Sequence, residues 1–434
     1  MERATVSKTV DSGLCTGCGV CAGICPRGCI GWSLRDGIHQ PQIDPEACVR
    51  CGLCASVCPG LGHRYEPAGD AVTTVTGPVR ACFNAWSRDA QVRHVSASGG
   101  VVTTMVRSLL ESGRYDSVFC LDSYDYRQQL KTRRHTAGTL LQGDERGMTP
   151  KSRYLPVSHQ EAVRYLLSHR EERIIFIATS CALRGLAAVM EQKKLDREKY
   201  LLIGLFCDKI FSHNVLAYWQ DRYCGGASIR QLHFKNKESG GWPGDMKFFP
   251  ESGESFYRPL AERGEVKKYF MPERCLYCAD KLNAMADISL GDNYTPIAAS
   301  ELGSNSVILR TDRGMAAWNA VQHRIESVSI DIGEIRKAQV LEARIANVYC
   351  GDLKSAESDA CPDLNPGVPR ELPAKQFRKT RIRALAQLRA GQCYDRDPRV
   401  LEKQMSKDRK PPNPVISFLR RGLGFLKRRL LRIS

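Results

Sequence analysis

The sequence predicts an α/β protein with a mixed, largely parallel central sheet, preceded by a small α+β module at the N-terminus. Three observations carry this. Two copies of one cysteine pattern fill the first part of the chain, Cys15-x-x-Cys18-x-x-Cys21-x-x-x-Cys25-Pro26 and Cys48-x-x-Cys51-x-x-Cys54-x-x-x-Cys58-Pro59. Short apolar runs then alternate with segments of helical period, the order that lays down parallel strands with crossover helices. Later segments (ASIRQLHFK, GDMKFFP, ADISLGD and NSVILR) are β-rich, which makes the sheet mixed.

The cysteine runs have the ligand spacing of a bacterial-type ferredoxin with two 4Fe–4S clusters. Thiolates at i, i+3 and i+6 wrap a short loop around one face of a cubane. The fourth, before a proline, crosses to the other cluster. Cys15, Cys18, Cys21 and Cys58 are therefore assigned to one cluster, and Cys48, Cys51, Cys54 and Cys25 to the other. Gly17, Gly19 and Gly52 suit loops that must bring amides close to sulfide. Zinc ribbons use two separated C-x-x-C pairs instead of four cysteines in one run. A disulfide framework would need a secretory leader, and MERATVSKTVDSGLC has no apolar core.

Downstream, the module ends near Gly62, with domain limits expected at 1–66, and Glu66–Pro78 reads as a polar linker. A family-independent reading of the rest gives a helix over Gly100–Gly113, a strand over Ser117–Leu121 and a helix over His159–Glu171. A strand follows at Arg173–Ser180, a helix at Ala182–Lys194, a strand at Tyr200–Phe206 and a helix at His213–Tyr223. A further boundary falls after Tyr349, in a stretch rich in prolines and turn residues.

The chain has 434 residues, 42% hydrophobic, with 19 cysteines and a net charge of +17. This is room for two or three domains with real cores. No run is long enough to span a bilayer, so reduced thiols and a cytoplasmic setting are expected. Nineteen Lys and Arg against five Asp and Glu lie between Pro366 and Ser434, so +14 of the +17 belongs to this basic tail, 366–434. A basic helix is expected around Phe377–Leu388. After Pro411, Val415, Leu419, Leu423, Leu426, Leu430 and Ile433 keep helical spacing among arginines and lysines. That pattern fits an amphipathic helix at an anionic membrane surface (the inner face) or on a partner protein. Nucleic acid is not expected, because the basic residues alternate with aliphatics instead of stacking aromatics.

Two further features point to a second redox site. Ser98-Gly99-Gly100 opens a helix and could bring free amides to an anion, although a plain cap is the commoner meaning. Cys181 and Cys207 follow strands, and Cys275 and Cys278 form RCLYC. Ligands gather at the carboxyl ends of strands in open α/β sheets, so these four could complete a third cluster; buried packing thiols are the alternative. Cys29, Cys82, Cys120, Cys224, Cys350, Cys361 and Cys393 have no evident partner.

ASGGVVTTMVRSLLESGRYDSV, KSRYLPV, ATSCALRGL, LLIGLFC and RCLYCADKLNAMADISLGDNY resemble successive signatures of the family of coenzyme F(420) hydrogenase and dehydrogenase beta subunits, over about residues 1–345. The family includes FAD-dependent iron–sulfur reductases. The resemblance implies an N-terminal FAD-binding part over 78–160 and a C-terminal part over 161–345. It implies an FAD site on Ser98, Gly99, Gly100, Ser152, Arg153, Tyr154, Gly291 and Asp292. It also implies a flavin-proximal cluster on Cys181, Cys207, Cys275 and Cys278. Two departures lie near the expected flavin face: Ala178-Thr179-Ser180-Cys181-Ala182 where members often read G-T-P-C-Q, and Asp208 where they often have His. The implied chemistry joins one-electron clusters to two-electron transfer by flavin. Ferredoxin or the reduced deazaflavin coenzyme would be the electron carrier and the substrate is unidentified. An electron-input subunit serving a partner is the alternative. Asp280, Asp287, Asp292 and His213 are candidate proton donors, with structural hydrogen bonding the blander role of each.

Overall fold

The computed structural model describes residues 3–62, 65–66, 68–121, 126, 128–141, 151–348, 364–365, 368 and 374–408. The amphipathic segment after Pro411, the turn-rich stretch 351–363 and Cys350 and Cys361 lie outside the described residues. Among the described residues no helix is long and apolar enough to cross a membrane.

A nine-stranded mixed sheet forms the centre. In spatial order its strands are Ile325–Ser329, Ala81–Ser87, Asn305–Leu309, Ile288–Asp292, Tyr200–Leu205, Ile174–Thr179, Ser117–Leu121, Leu130–His135 and Val157–Ser158. The four from Ile288–Asp292 to Ser117–Leu121 run parallel, with antiparallel partners on either side. These parallel strands are near-continuous apolar runs such as IIFIAT and YLLIGL, as burial on both faces demands. Helix Val101–Glu111 covers one face with Val101, Met105, Val106 and Leu109, all fully buried. Helices Gln160–Ser168 and Ser180–Gln192 cover the other. Burying each such side chain is worth about 1.5–3 kcal/mol.

A three-stranded sheet, Ile229–Asn236, Asp245–Pro250 and Phe256–Arg258, packs with helix Asn214–Tyr223 around Trp219, Phe211, Phe234 and Phe248. The basic helix is longer than expected, Ala374–Gln392, and a second follows at Pro398–Asp408. Both dock here: Leu388, Leu401 and Met405 are buried, and the Asn214 side-chain amide donates to the Gly391 carbonyl at 3.2 Å. The described helices of the basic tail, within residues 374–408, are therefore a packed part of the fold.

The expected linker is also structured. Ala71–Thr76 is a helix whose N-cap, Asp70, accepts from the Thr73 amide at 2.7 Å. Its Val75 is fully buried in a cluster with Leu282, Ile308 and Ile335. The short TTVT run hid this because its β-branched residues have low helix propensity.

The cysteine-rich module is a hairpin, Ile30–Arg35 with Ile38–Ile43, carrying two short helices, Val20–Ile24 and Leu53–Ser56. Gly19 and Gly52, each following the second cysteine of its run, cap these helices in left-handed conformations at φ 78° and 79°. The module is wedged into the main core. Val20, Ile24 and Val57 join the cluster of Val163, Leu166, Leu183 and Leu186. The His159 amide donates to the Cys18 carbonyl at 2.8 Å, and the Trp32 indole N–H to Gln160 Oε1 at 2.9 Å.

Candidate redox site

The two N-terminal runs fold into two separate cages. One is lined by Cys15, Cys18, Cys21 and Cys58 and encloses about 310 Å³ of empty space, part of it open to solvent. The other is lined by Cys25, Cys48, Cys51 and Cys54 and encloses about 350 Å³. The fourth cysteine of each run thus faces the first three of the other run. Backbone and side-chain groups point at sulfur: the Gly17 amide lies 3.4 Å from Cys15 Sγ, the Val6 amide 3.4 Å from Cys54 Sγ, and the Thr9 hydroxyl 3.3 Å from Cys58 Sγ. Burial pushes the Cys15 thiol up to about 12, with Cys58 and Cys181 adding to the rise. Thiols so placed become ligands when a metal cluster supplies the compensating positive charge. Among the described residues, no three His, Cys, Asp or Glu converge closely enough for a single metal ion.

Cys29, unassigned from sequence, is buried against the outer cage, its Sγ 3.5 Å from that of Cys25. Cys82 and Cys120 are buried core thiols, Cys224 is half-buried and Cys393 is exposed.

Cys181, Cys207, Cys275 and Cys278 come together as a third set. Cys207 is pushed far up by burial and then by Cys275, Cys181 and Cys278, as mutual proximity requires. Cys181 lies in the first turn of helix Ser180–Gln192, which begins two residues earlier than its pattern implied, so its side chain leaves from a helix N-terminus and not from a strand end. The turn Glu273–Tyr277 carries Cys275 and leads to Cys278. Cys181 also stands near Cys15 and Cys18, and Thr16 hydrogen-bonds its sulfur. The third set thereby adjoins the inner N-terminal cage. Cations flank it: the buried Arg344 donates to the Cys278 carbonyl at 2.8 Å, and Arg344, Lys267 and Lys281 gather around Asp208. Asp208 keeps about half of its side chain exposed (47%), and these three charges hold it well below the usual carboxylate range.

Against this set opens the large cavity of the fold, about 1530 Å³ with its mouth included. It lies at the carboxyl ends of the parallel strands, where Ala178, Leu205 and Gly291 line it. Ser98, Gly100, Ser152, Arg153, Tyr154, Gly291 and Asp292 all line it, as do Cys18, Cys181 and Cys207. Gly99 stands behind the wall: a Cβ there would meet Ala85 O at 2.7 Å and Asn305 Oδ1 at 2.8 Å. Only glycine lets the turn press onto the sheet. Gly100, at φ 79°, then starts the helix whose first residues, Val101 to Thr103, face the cavity.

The walls fit FAD. The helix N-terminus with Lys151 and Arg153 offers donors and positive charge for a pyrophosphate, and Val102, Ile177 and Leu290 offer an apolar bed for a ring. Sequence reading missed the supports. Lys237 Nζ donates to the carbonyls of Arg93, Ser98 and Leu302 at 2.6–2.7 Å, fixing the Ser98 turn. Lys235 pairs with Asp292 from the same strand region, and the spacing of two in HFKNK was the available signal. Thr16 and His159 also line the cavity, and neither has a local signature.

Of the candidate proton donors, Asp280 is fully buried on Arg184 at 2.8 Å and Asp287 on Arg197 and Arg313 at 2.8 Å each. Both are structural. His213 sits outside the cavity, edge-on to His39 with ring centroids 5.1 Å apart. Asp292 alone of the four reaches the cavity.

The chain matches three family models. The family model for the C-terminus of the coenzyme F(420) hydrogenase/dehydrogenase beta subunit matches residues 171–333, and its N-terminal counterpart matches residues 82–139. A 4Fe–4S dicluster domain matches residues 14–60. The chain belongs to the family of coenzyme F(420) hydrogenase/dehydrogenase beta subunits. Its dicluster match makes it an iron–sulfur member of that family. A coenzyme F(420)-dependent sulfite reductase from Methanocaldococcus jannaschii is 25% identical over 363 residues, 79% of this chain and 51% of that protein. This family member therefore spans about half the length of that relative. A subunit of the F(420)H(2) dehydrogenase of Methanosarcina mazei is 22% identical over 325 residues, 74% of this chain and 86% of that one. A chain of the F(420)-reducing NiFe hydrogenase complex from Methanosarcina barkeri aligns with a TM-score of 0.48 and 20% identity, covering 66% of this chain and 94% of that chain.

Proposed function

We propose that this protein is an iron–sulfur flavoprotein that exchanges single electrons with a carrier such as ferredoxin and electron pairs with a substrate in its central cavity. One observation carries the reading: the cavity that fits a flavin is walled by cysteines of two cages, Cys18 from the inner N-terminal set and Cys181 and Cys207 from the third. FAD, when bound, supplies the conversion between one- and two-electron transfer. The chain's own residues do the rest. The Ser98–Gly100 turn and Arg153 hold the pyrophosphate, Cys181 joins the third set to the inner cage, and the buried core around Val20 and Val163 keeps water from the path. The reduced deazaflavin coenzyme is the first candidate for the two-electron partner, by likeness to the relatives' names.

Anaerobically purified protein tests this directly. Twelve ligand cysteines predict three clusters and about one FAD per chain, with dye reduction by reduced deazaflavin or ferredoxin. Colourless protein holding zinc and no flavin would overturn it.

A second reading makes the chain an electron-input subunit whose substrate is reduced elsewhere. It is favoured by the half-length match to the sulfite reductase relative and by the likeness to one component of a dehydrogenase. Turnover of a small substrate by the isolated chain would remove it. The segment after Pro411 is proposed to meet an anionic membrane surface or a partner protein. Truncation after Lys410 should lower sedimentation with anionic liposomes and leave iron content unchanged.

A further inference from the structure

Arg274 is almost completely buried, with 2% of its surface exposed. It immediately precedes Cys275 of the third set, and its Nε donates to the Gly60 carbonyl at 3.1 Å, two residues beyond Cys58 of the inner cage. Its Nη2 reaches the Leu364 carbonyl at 3.4 Å, and its Nη1 has no hydrogen-bond partner among the described residues. The guanidinium thus lies between Cys275 of the third set and the Gly60 carbonyl beside Cys58 of the inner cage. No carboxylate pairs with it among the described ion pairs. A full positive charge buried between two thiol cages is costly unless it meets negative charge there. The third set has a second cation in Arg344. At the inner cage, Arg274 is a buried cation tied to the Gly60 carbonyl, whereas the arginines lining the outer cage, Arg27 and Arg50, are exposed to solvent.

We propose that Arg274 is a positioning residue of the electron path, a fixed charge that raises the reduction potentials of the inner N-terminal cluster and the third cluster together while leaving the outer cluster alone. The inference rests on the cluster assignments proposed above. Each transfer between the two sites moves one electron: the donor cluster loses it, the acceptor gains it, and no proton is needed. The electron adds one negative charge on either side of the same guanidinium, which stabilises both reduced states and keeps the step between them close to level. An electrostatic contribution of this kind is large where water is excluded and small at the exposed outer cage.

The test is a potentiometric titration of the full chain with dithionite, followed by electron paramagnetic resonance, comparing wild type with Arg274→Gln, Arg274→Met and Arg274→Lys. Methionine fills the slot without leaving a buried donor unpaired. The neutral variants should reduce the equilibrium constant for reduction of the inner and third clusters by about tenfold or more, a fall of about 59 mV for one electron. The outer cluster should not move, and lysine should restore most of the loss. Unchanged potentials, or an equal fall at all three clusters, would overturn the proposal, as would iron loss in the lysine variant as severe as in the neutral ones. Wild-type iron for only two clusters would instead refute the third-cluster assignment, and the inner cluster's potential would still decide the role of Arg274.

Discussion

The amide of His159 donates to the carbonyl of Cys18 at 2.8 Å, tying a loop of the inner cage to a wall residue of the central cavity. The same junction is sealed by Gly23. A Cβ at that position would lie 2.5 Å from Val163 Cβ and 2.9 Å from the Gln160 carbonyl. Gly23→Val should therefore force the cysteine-rich module away from helix Gln160–Ser168, at a cost of about 1–3 kcal/mol. Anaerobic denaturation would measure it, and slower electron passage to a cavity-bound acceptor with full iron content should accompany it.

Crossing of the fourth cysteines gives a sharper expectation. Cys58→Ser should damage the cage of Cys15, Cys18 and Cys21, which it lines, and spare the cage within its own run. Mössbauer or paramagnetic resonance spectra should lose the inner cluster and keep the outer one. Loss of the outer signal instead would show that each run holds its own cluster.

Lys235 and Asp292 form an ion pair in which the lysine side chain is 2% exposed and the carboxylate 16%. Asp292→Leu strands the lysine charge, and breaking such a pair costs about 3–5 kcal/mol. Replacing both, as Lys235→Met with Asp292→Leu, should recover much of that stability while flavin content stays reduced, because Asp292 and Gly291 line the cavity. Denaturation midpoints and released FAD separate the two effects.

Acid sensitivity should follow from buried histidines. Burial lowers His159 to about 4, and burial with the neighbouring His39 lowers His213 to about 4. Their unfolded value is about 6.5. Because the unfolded chain binds the extra protons, this stability is fully present above about pH 6.5 and is lost as pH falls toward 4. The slope is up to about 1.4 kcal/mol per pH unit for each histidine in that window. His213→Asn should flatten the pH dependence of the denaturation midpoint over this range; an unchanged slope would contradict the assignment.

Much of the molecule was legible in its sequence because the signals were local. Cysteine spacing around a cubane is set within eleven residues, and the runs IIFIAT and YLLIGL announce strands buried on both faces. Helix Val101–Glu111 and strand Ser117–Leu121 stand where their patterns put them. The buried helix Ala71–Thr76 escaped notice because tertiary packing around Val75 overrode weak propensity. The docking of helices Ala374–Gln392 and Pro398–Asp408 was hidden under their basic composition, since Leu388, Leu401 and Met405 are few among many charges.

By itself the sequence determined that two cubane-binding runs precede an α/β sheet, since those features need only neighbours along the chain. The meeting of Cys181 with Cys275 and Cys278, the burial of Arg274 between two cages and the retreat of Gly99 behind the cavity wall were decided by the tertiary structure alone. Such relationships reach across as many as 214 positions, as between Gly60 and Arg274, and only the closing of the sheet and the seating of the cysteine-rich module on it fix their distances.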